Sequence, residues 1–398
     1  MAIEDDGVAQ QLAQRGTALE EARLWAAAAE GYRDAIRLEP DRSSHHYALG
    51  RTLYMQERYE EALRAFEAAA RLTPDDADCM TAVGNTLSTL DRRAEAIAPL
   101  QRAVTLAPGD PERLHDLALA LDHTGESEAA VEIYTRLMGQ IPESARLHYN
   151  RGVALDRLGK EREAETAYRR ALTLRPNYAL AHFNLADLQH RQGRVDEALS
   201  TYRQAIAADP DYARAYDRIG QLCVERDDYA TAISAYQELV RIEPDAALHY
   251  NALGVALDCS GDPTAAVAAY ERALDLDIGA SCVYNNLGVA YEHRSQLREA
   301  ISAYAMAVRL EPSNPRYYCN LGDAQRGLGL WESAAETYRE AARLDPMNAD
   351  VRVNLGDLLL GLGENAKAAE ILREALALLP DDVQAAQLLA YAEDEEIC

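Results

Sequence analysis

An all-α repeat array is the fold class this sequence predicts, on three observations. Prolines at 40, 74, 108, 142, 176, 210, 244, 312, 346 and 380 are spaced by 34 residues, with one gap of 68 centred on Ile278. Taking each proline as position 32 of a repeat, position 20 is alanine in all eleven repeats, from Ala28 to Ala368. Position 8 is glycine in nine of them, from Gly16 to Gly356, with Ala118 and Ala186 in the other two. A fixed period of this length marks stacked supersecondary units rather than compact domains.

The repeats run without insertion over 9–42, 43–76, 77–110, 111–144, 145–178, 179–212, 213–246, 247–280, 281–314, 315–348 and 349–382. Residues 1–8 form an N-terminal extension, and 383–398 a capping helix and acidic tail. Apolar residues recur at three- and four-residue intervals in two stretches per repeat, which predicts two amphipathic helices in each. Five of the short turns between them carry Gly125, Gly159, Gly193, Gly329 and Gly363. The eighth has Gly261-Asp262-Pro263, which supplies a turn, an N-cap and a first-turn proline together. Small residues at positions 8, 20 and 27 let helix backbones approach, and a large residue at 24 fills the space beside them. The proline at 32 ends the second helix, because it cannot continue the hydrogen-bond ladder. Ile278 replaces it once, where Gly279 can break the helix, and Pro99 falls inside a second helix and predicts a kink. Val383–Tyr391 reads as the cap over the last apolar face, ahead of Glu393-Asp394-Glu395-Glu396.

Composition narrows the function classes. The 398 residues carry 40 basic and 66 acidic side chains, a net charge of −26, which argues against binding nucleic-acid phosphates or an anionic membrane surface. No run of 18 apolar residues is present, and the N-terminus lacks a signal-peptide pattern, so membrane insertion is not expected and a cytoplasmic location is. Six scattered cysteines, none in a Cys-x-x-Cys pair, fit a reducing compartment. Phosphate-binding, dinucleotide, metalloprotease and hydrolase motifs are missing, and the repeats leave little length for a catalytic domain, so no enzyme activity is expected. Cys259 and His293, both at position 13 of adjacent repeats, with Cys282 near in sequence, are the best metal candidates. Their spacing is not that of a dedicated site, and neither a metal nor a cofactor is expected.

In register, position by position, the chain resembles the tetratricopeptide repeat (TPR) family over 374 of its 398 residues. The resemblance implies a right-handed α-solenoid superhelix of antiparallel helix pairs with a C-terminal capping helix, the first helices lining a concave groove. In that family, ligands contact positions 2, 5, 6, 9, 12 and 13 of the first helices. Position 6 here includes Asn150, Asn184, Asn286, Asn320 and Asn354, which resemble the asparagine ladder in the repeat region of O-GlcNAc transferases. An amide that both donates and accepts suits a peptide backbone. Packed helices lie roughly 8–10 Å apart, and three residues of extended chain span roughly 10 Å, so one asparagine can grip every third ligand residue.

Arg214 and Arg218, four apart on one helical face, follow Asn184 in the preceding repeat. The three resemble the latter part of the carboxylate clamp of chaperone-binding TPR proteins, but Tyr149 and Val153 stand where that clamp has lysine and asparagine. Arginine recognises carboxylates bidentately, so an anion-binding patch is expected there. Acids fill other groove positions: Asp122, Asp156, Asp258 and Glu292 at 12, Asp187, Asp323 and Asp357 at 9, and Asp217 at 5. Such rows favour a basic ligand. Tyr47, Tyr54, Tyr149 and Phe183 are aromatic candidates for the groove or for helix packing.

Three functional readings follow. The first is a non-catalytic scaffold whose groove binds an extended, preferably basic, segment of a protein partner. The second is a substrate-recruiting subunit or fragment of a TPR-containing glycosyltransferase system. The third is a scaffold that self-associates through its ends or outer face.

Overall fold

The computed structural model describes residues 2–277 and 279–394. The expected break at Ile278 and the tail residues 395–398 lie outside them. The chain divides into two bodies, Met1–Asp209 and Pro210–Cys398. In the N-terminal body the helices are α1 (Ala2–Glu21), α2 (Trp25–Leu38), α3 (Ser43–Tyr54), α4 (Tyr59–Leu72), α5 (Ala77–Thr89), α6 (Arg93–Leu106), α7 (Pro111–His123), α8 (Ser127–Gln140), α9 (Ala145–Arg157), α10 (Glu161–Leu174), α11 (Ala179–Arg191) and α12 (Val195–Ala208). In the C-terminal body they are α13 (Ala213–Glu225), α14 (Tyr229–Ile242), α15 (Ala247–Cys259), α16 (Pro263–Leu276), α17 (Ser281–His293), α18 (Leu297–Leu310), α19 (Pro315–Gly327), α20 (Trp331–Leu344), α21 (Ala349–Gly361), α22 (Asn365–Leu378) and α23 (Val383–Asp394). All regular structure among the described residues is helical.

Within each body the packing is mainly sequential: an odd-numbered helix packs on the even one that follows, which then packs on the next odd one, with lighter contacts between some successive first helices. Helix α1 begins at Ala2, ahead of the repeat frame, and α23 packs on α22 and α21 at the other end. Helix α6 continues through Pro99, whose missing N–H removes one ladder bond without ending the helix.

The chemistry of the helix ends explains the register. Five first helices begin where a short polar side chain caps them: Asp76, Asp110, Ser144, Asn314 and Asn348 each accept a backbone N–H from the first turn. Between the helices of a pair, position 15 adopts positive φ in every repeat, at glycine in six and at Arg23, Glu57, Asp91, Asp227 and Ser295 in the others. This left-handed residue closes the first helix, and an L side chain there is strained. Gly193→Ala, at φ +75°, is therefore expected to cost about 1 kcal/mol. Glu57→Gly, at φ +60°, should be neutral or stabilising, and paired urea melts of the two variants check both signs.

The core of each pair is the position 8–24 contact. A Cβ at Gly288 would lie 2.5 Å from the Tyr304 ring, and one at Gly254 2.5 Å from Tyr270, so the ring rests directly on the first-helix backbone. Tyr134, Tyr168, Tyr202, Tyr304 and Tyr338 are completely buried there.

Candidate functional site

The five ladder asparagines are all half-buried. Three of them use the amide to reach sideways to the preceding first helix. In the N-terminal body Asn184 Nδ2 donates to Tyr149 Oη at 3.0 Å, from α11 to α9. In the C-terminal body Asn286 Nδ2 donates to Asn251 Oδ1 at 3.0 Å, and Asn320 Nδ2 to Asn285 Oδ1 at 2.7 Å. Each bond runs from position 6 to position 5 of the repeat before, 35 residues back. It fixes the amide plane and leaves one N–H and the carbonyl oxygen of the asparagine outside the bond. Asn150 and Asn354 follow His115 and Cys319 at position 5. Neither has a side-chain hydrogen bond to the described residues.

Acids at position 12 use the same offset. Arg157 Nη1 donates to Asp122 Oδ2 at 2.6 Å, Arg191 donates to Asp156, and His293 Nδ1 pairs with Asp258 Oδ1 at 2.9 Å. Asp122 is buried and Asp258 half-buried behind these partners, and Ser127 Oγ adds a second donor to Asp122 at 2.7 Å. Tyr54 Oη and Thr89 Oγ1, 2.8 Å apart, make the uncharged version of the tie. A second set of bonds joins the two helices of one repeat. Tyr202 donates to Asp187, Tyr338 Oη to Asp323 Oδ1 at 2.6 Å, and Tyr304 Oη to Glu292 Oε2 at 2.7 Å. Burial pushes the Glu292 carboxyl up, against the Tyr304 bond, which pulls it down. Asp323 and Asp357 are 43% and 45% exposed, with Arg326 at 3.7 and 3.6 Å between them.

Arg214 and Arg218 lie on α13 of the C-terminal body, while Asn184 belongs to α11 of the N-terminal one. Arg214 is exposed. Arg218 Nη1 donates to Gln221 Oε1 at 3.1 Å, and Gln221 Nε2 donates to Asp217 Oδ2 at 2.9 Å.

The aromatic candidates turn out to be packing residues. Tyr47 tilts on Phe66 with centroids 5.5 Å apart, Tyr149 on Tyr178 at 5.0 Å and Phe183 on Tyr202 at 5.6 Å, and Tyr54 meets Tyr59 edge-on at 5.0 Å. Phe183 is 1% exposed. At position 5, Tyr47, Tyr149 and Phe183 each lie against the position 24 ring of their own repeat. His293 is engaged by Asp258, and among the described residues no three His, Cys, Asp or Glu side chains are placed to hold a metal. No described helix is long and apolar enough to cross a membrane.

Sequence reading missed Asn251 and Asn285, the acceptors that orient two ladder amides. The signal was available as polar pairs 35 residues apart, one more than the repeat length.

A tetratricopeptide repeat model matches residues 14–77, 115–179, 149–213, 260–315 and 319–383, and another matches 190–254. The chain belongs to the tetratricopeptide repeat family. A bacterial transcriptional activator domain model also matches residues 67–144. Among solved structures, the C-terminal part of a TPR repeat-containing protein from Cytophaga hutchinsonii is similar at 16% identity and TM-score 0.51, covering 59% of this chain and 96% of that one. The APC/C hetero-tetramer Cut9–Hcn1 is similar at 15% identity and TM-score 0.43, covering 96% of both chains. YrrB, described as a TPR protein with an unusual peptide-binding site, is similar at 22% identity and TM-score 0.41, covering 46% of this chain and 94% of that one. No curated protein matches the sequence. TPR repeats along most of the chain support a protein-interaction scaffold.

Proposed function

We propose that this TPR protein is a non-catalytic, cytoplasmic scaffold that binds an extended segment of a protein partner along its first helices. The observation that carries the reading is the lateral amide bonding at Asn286 and Asn320. Each bond holds an asparagine in one orientation before a ligand arrives, which lowers the entropy cost of gripping a main chain. One remaining donor and one acceptor per amide match the acceptor and donor of a peptide unit.

Charge preference is narrower than the count of acids suggests. Asp122 and Asp156 already neutralise an arginine of the next repeat, and Asp258 is hydrogen-bonded to His293. The pull on a basic ligand then rests on Glu292 and on Asp323 and Asp357, two carboxylates that share the single arginine Arg326, in the C-terminal body. Arg214 and Arg218 supply the place for an acidic group of the partner. Ordering a flexible tail offsets part of the contact energy, so modest affinity with several contacts is the expected regime.

A peptide array probed with wild type and with the Asn286→Ala/Asn320→Ala/Asn354→Ala variant tests this. The variant should lose most hits by about tenfold or more in affinity, in keeping with several hydrogen bonds of about 1 kcal/mol each. Its far-ultraviolet circular dichroism should match wild type. Unchanged binding to every hit would remove the ladder from the account.

A further inference from the structure

Asp116 stands at position 6 of the fourth repeat, where five other repeats carry a ladder asparagine. Its carboxylate is half-buried on α7 and accepts one hydrogen bond, from Asn85 Nδ2 of α5 at 2.8 Å. Among the described residues it has no cation partner. The acids around it differ: Asp78 and Asp110 share Arg113, Asp122 has Arg157 and Asp156 has Arg191. Arg146, at position 2 of the fifth repeat, is exposed and makes no ion pair with the described residues. It favours the Asp116 charge only from a distance. Burial, with Glu112 and Asp110, outweighs it and raises the carboxyl's pKa. A half-buried charge in this state is costly until an outside cation completes it.

The ladder bond is also missing at this seam. At Asn184, Asn286 and Asn320 a position 6 amide donates to position 5 of the repeat before. Here the corresponding pair is Asn150 and His115. Asn150 makes no side-chain hydrogen bond to the described residues, and His115 Nδ1 is buried without a partner. The whole Asn150 amide is therefore open to a ligand's main chain. Leu119 and Val153 stand three residues beyond Asp116 and Asn150 on the same helical faces, and both are half-buried. Of the position 9 residues in the N-terminal body, these two are the aliphatic ones.

We propose that Asp116 seats an arginine side chain of the partner segment, with that segment's main chain on Asn150. The inference rests on the first-helix surface being the binding groove, and it adds a charge-specific contact in the N-terminal body. A guanidinium fits because its fork meets a carboxylate through two N–H groups, while its stem covers aliphatic surface such as Leu119 and Val153. Side chains of successive first helices touch at positions 5 and 6, so a residue held on α9 can reach α7.

The test uses arginine-containing hits from the peptide array, remade with an acetylated N-terminus and a fluorescein label. Each arginine is replaced in turn by citrulline, which keeps the shape and removes the charge. One position should lose affinity by about tenfold or more in fluorescence anisotropy. Asp116→Asn should bring the same loss to the parent peptide and no further loss to its citrulline form, so the two changes are not additive. The variant keeps an acceptor for Asn85 and carries the residue that five other repeats hold, so its melting temperature should hold. Arg146→Ala should leave binding unchanged or tighten it. Hits without arginine, or arginine and Asp116 effects that are absent or independent, would overturn the seat and leave the groove reading standing. So would a hit that loses binding on acetylation alone, because an N-terminal ammonium would then be the cation. No wild-type hit on the array would overturn both.

Discussion

Tyr304→Ala is expected to lower stability by about 3–5 kcal/mol, the range for truncating a large buried ring. The ring is completely buried, lies against the Gly288 backbone and packs with Ala300, Leu321 and Ala324. No small residue at position 8 can move in to fill the space, because glycine there has no side chain. The same substitution leaves Glu292, already half-buried, without the hydroxyl that bonds it at 2.7 Å. A conservative pair separates the two contributions. Tyr304→Phe keeps the ring and should cost about 1.5–3 kcal/mol for the lost bond to a carboxylate. Tyr134→Phe should cost nothing or stabilise, because the fully buried Tyr134 hydroxyl finds no described protein partner. Position 9 of that repeat is Leu119, whereas the bonded tyrosines Tyr202 and Tyr338 face Asp187 and Asp323 at position 9. Urea denaturation of the four proteins checks the order. Since each repeat leans only on its neighbours, the loss at Tyr304 should appear as early unfolding of the C-terminal repeats.

The second large effect is a loss of stability between neutral pH and about pH 4, caused by His115. This ring is 4% exposed and packs beside Tyr134 with centroids 6.0 Å apart. Burial, helped by the nearby Arg146, pulls its pKa from 6.5 down to about 4. The folded protein therefore keeps the ring neutral, while the unfolded chain takes up a proton once pH falls below 6.5. Stability tied to this group is complete above that pH, declines as pH drops to about 4, and changes no further below it. The loss is on the order of 3 kcal/mol. Asp116 works in the opposite direction, because burial raises its carboxyl and the folded state then favours protonation. The arginine-paired carboxylates Asp110, Glu61 and Glu95, whose pKa values are lowered, lose their contribution only at more acid pH. His115→Phe should keep the ring packing and flatten the stability profile between pH 6.5 and 4, measured by urea melts at each pH. An unchanged slope in the variant would assign the decline to other groups.

The helix pairs were legible because their signals are local and repeat. Proline at position 32, glycine at 8 and alanine at 20 act through backbone chemistry that does not depend on distant partners. The left-handed turn residue was legible at Gly125 or Gly193 and invisible at Arg23 or Glu57, where packing of the two helices imposes a conformation the side chain disfavours. The candidate surface was legible by position but not by state. Nothing local marks Asp156 as a tie to Arg191, or Asn285 as the acceptor for Asn320, since each pair joins residues of ordinary surface type across two repeats. With 66 carboxylates in the chain, acid–arginine pairs carry little information until the 35-residue offset is imposed. Phe183 and Tyr149 stayed open between groove and packing for a related reason. An aromatic on a ligand-facing position reads the same in sequence whether it meets a ligand or the tyrosine of its own repeat.

The central claim is that a partner's main chain bonds to the asparagine amides of the first helices. The most direct measurement is the side-chain amide spectrum of asparagine-labelled protein during titration with the strongest peptide from the array. The account predicts saturable shifts of the Nδ2 hydrogens of Asn286, Asn320 and Asn354, with those of Asn314 and Asn348, which cap helix N-termini, unmoved. Saturation of binding with all three ladder amides unmoved would contradict it.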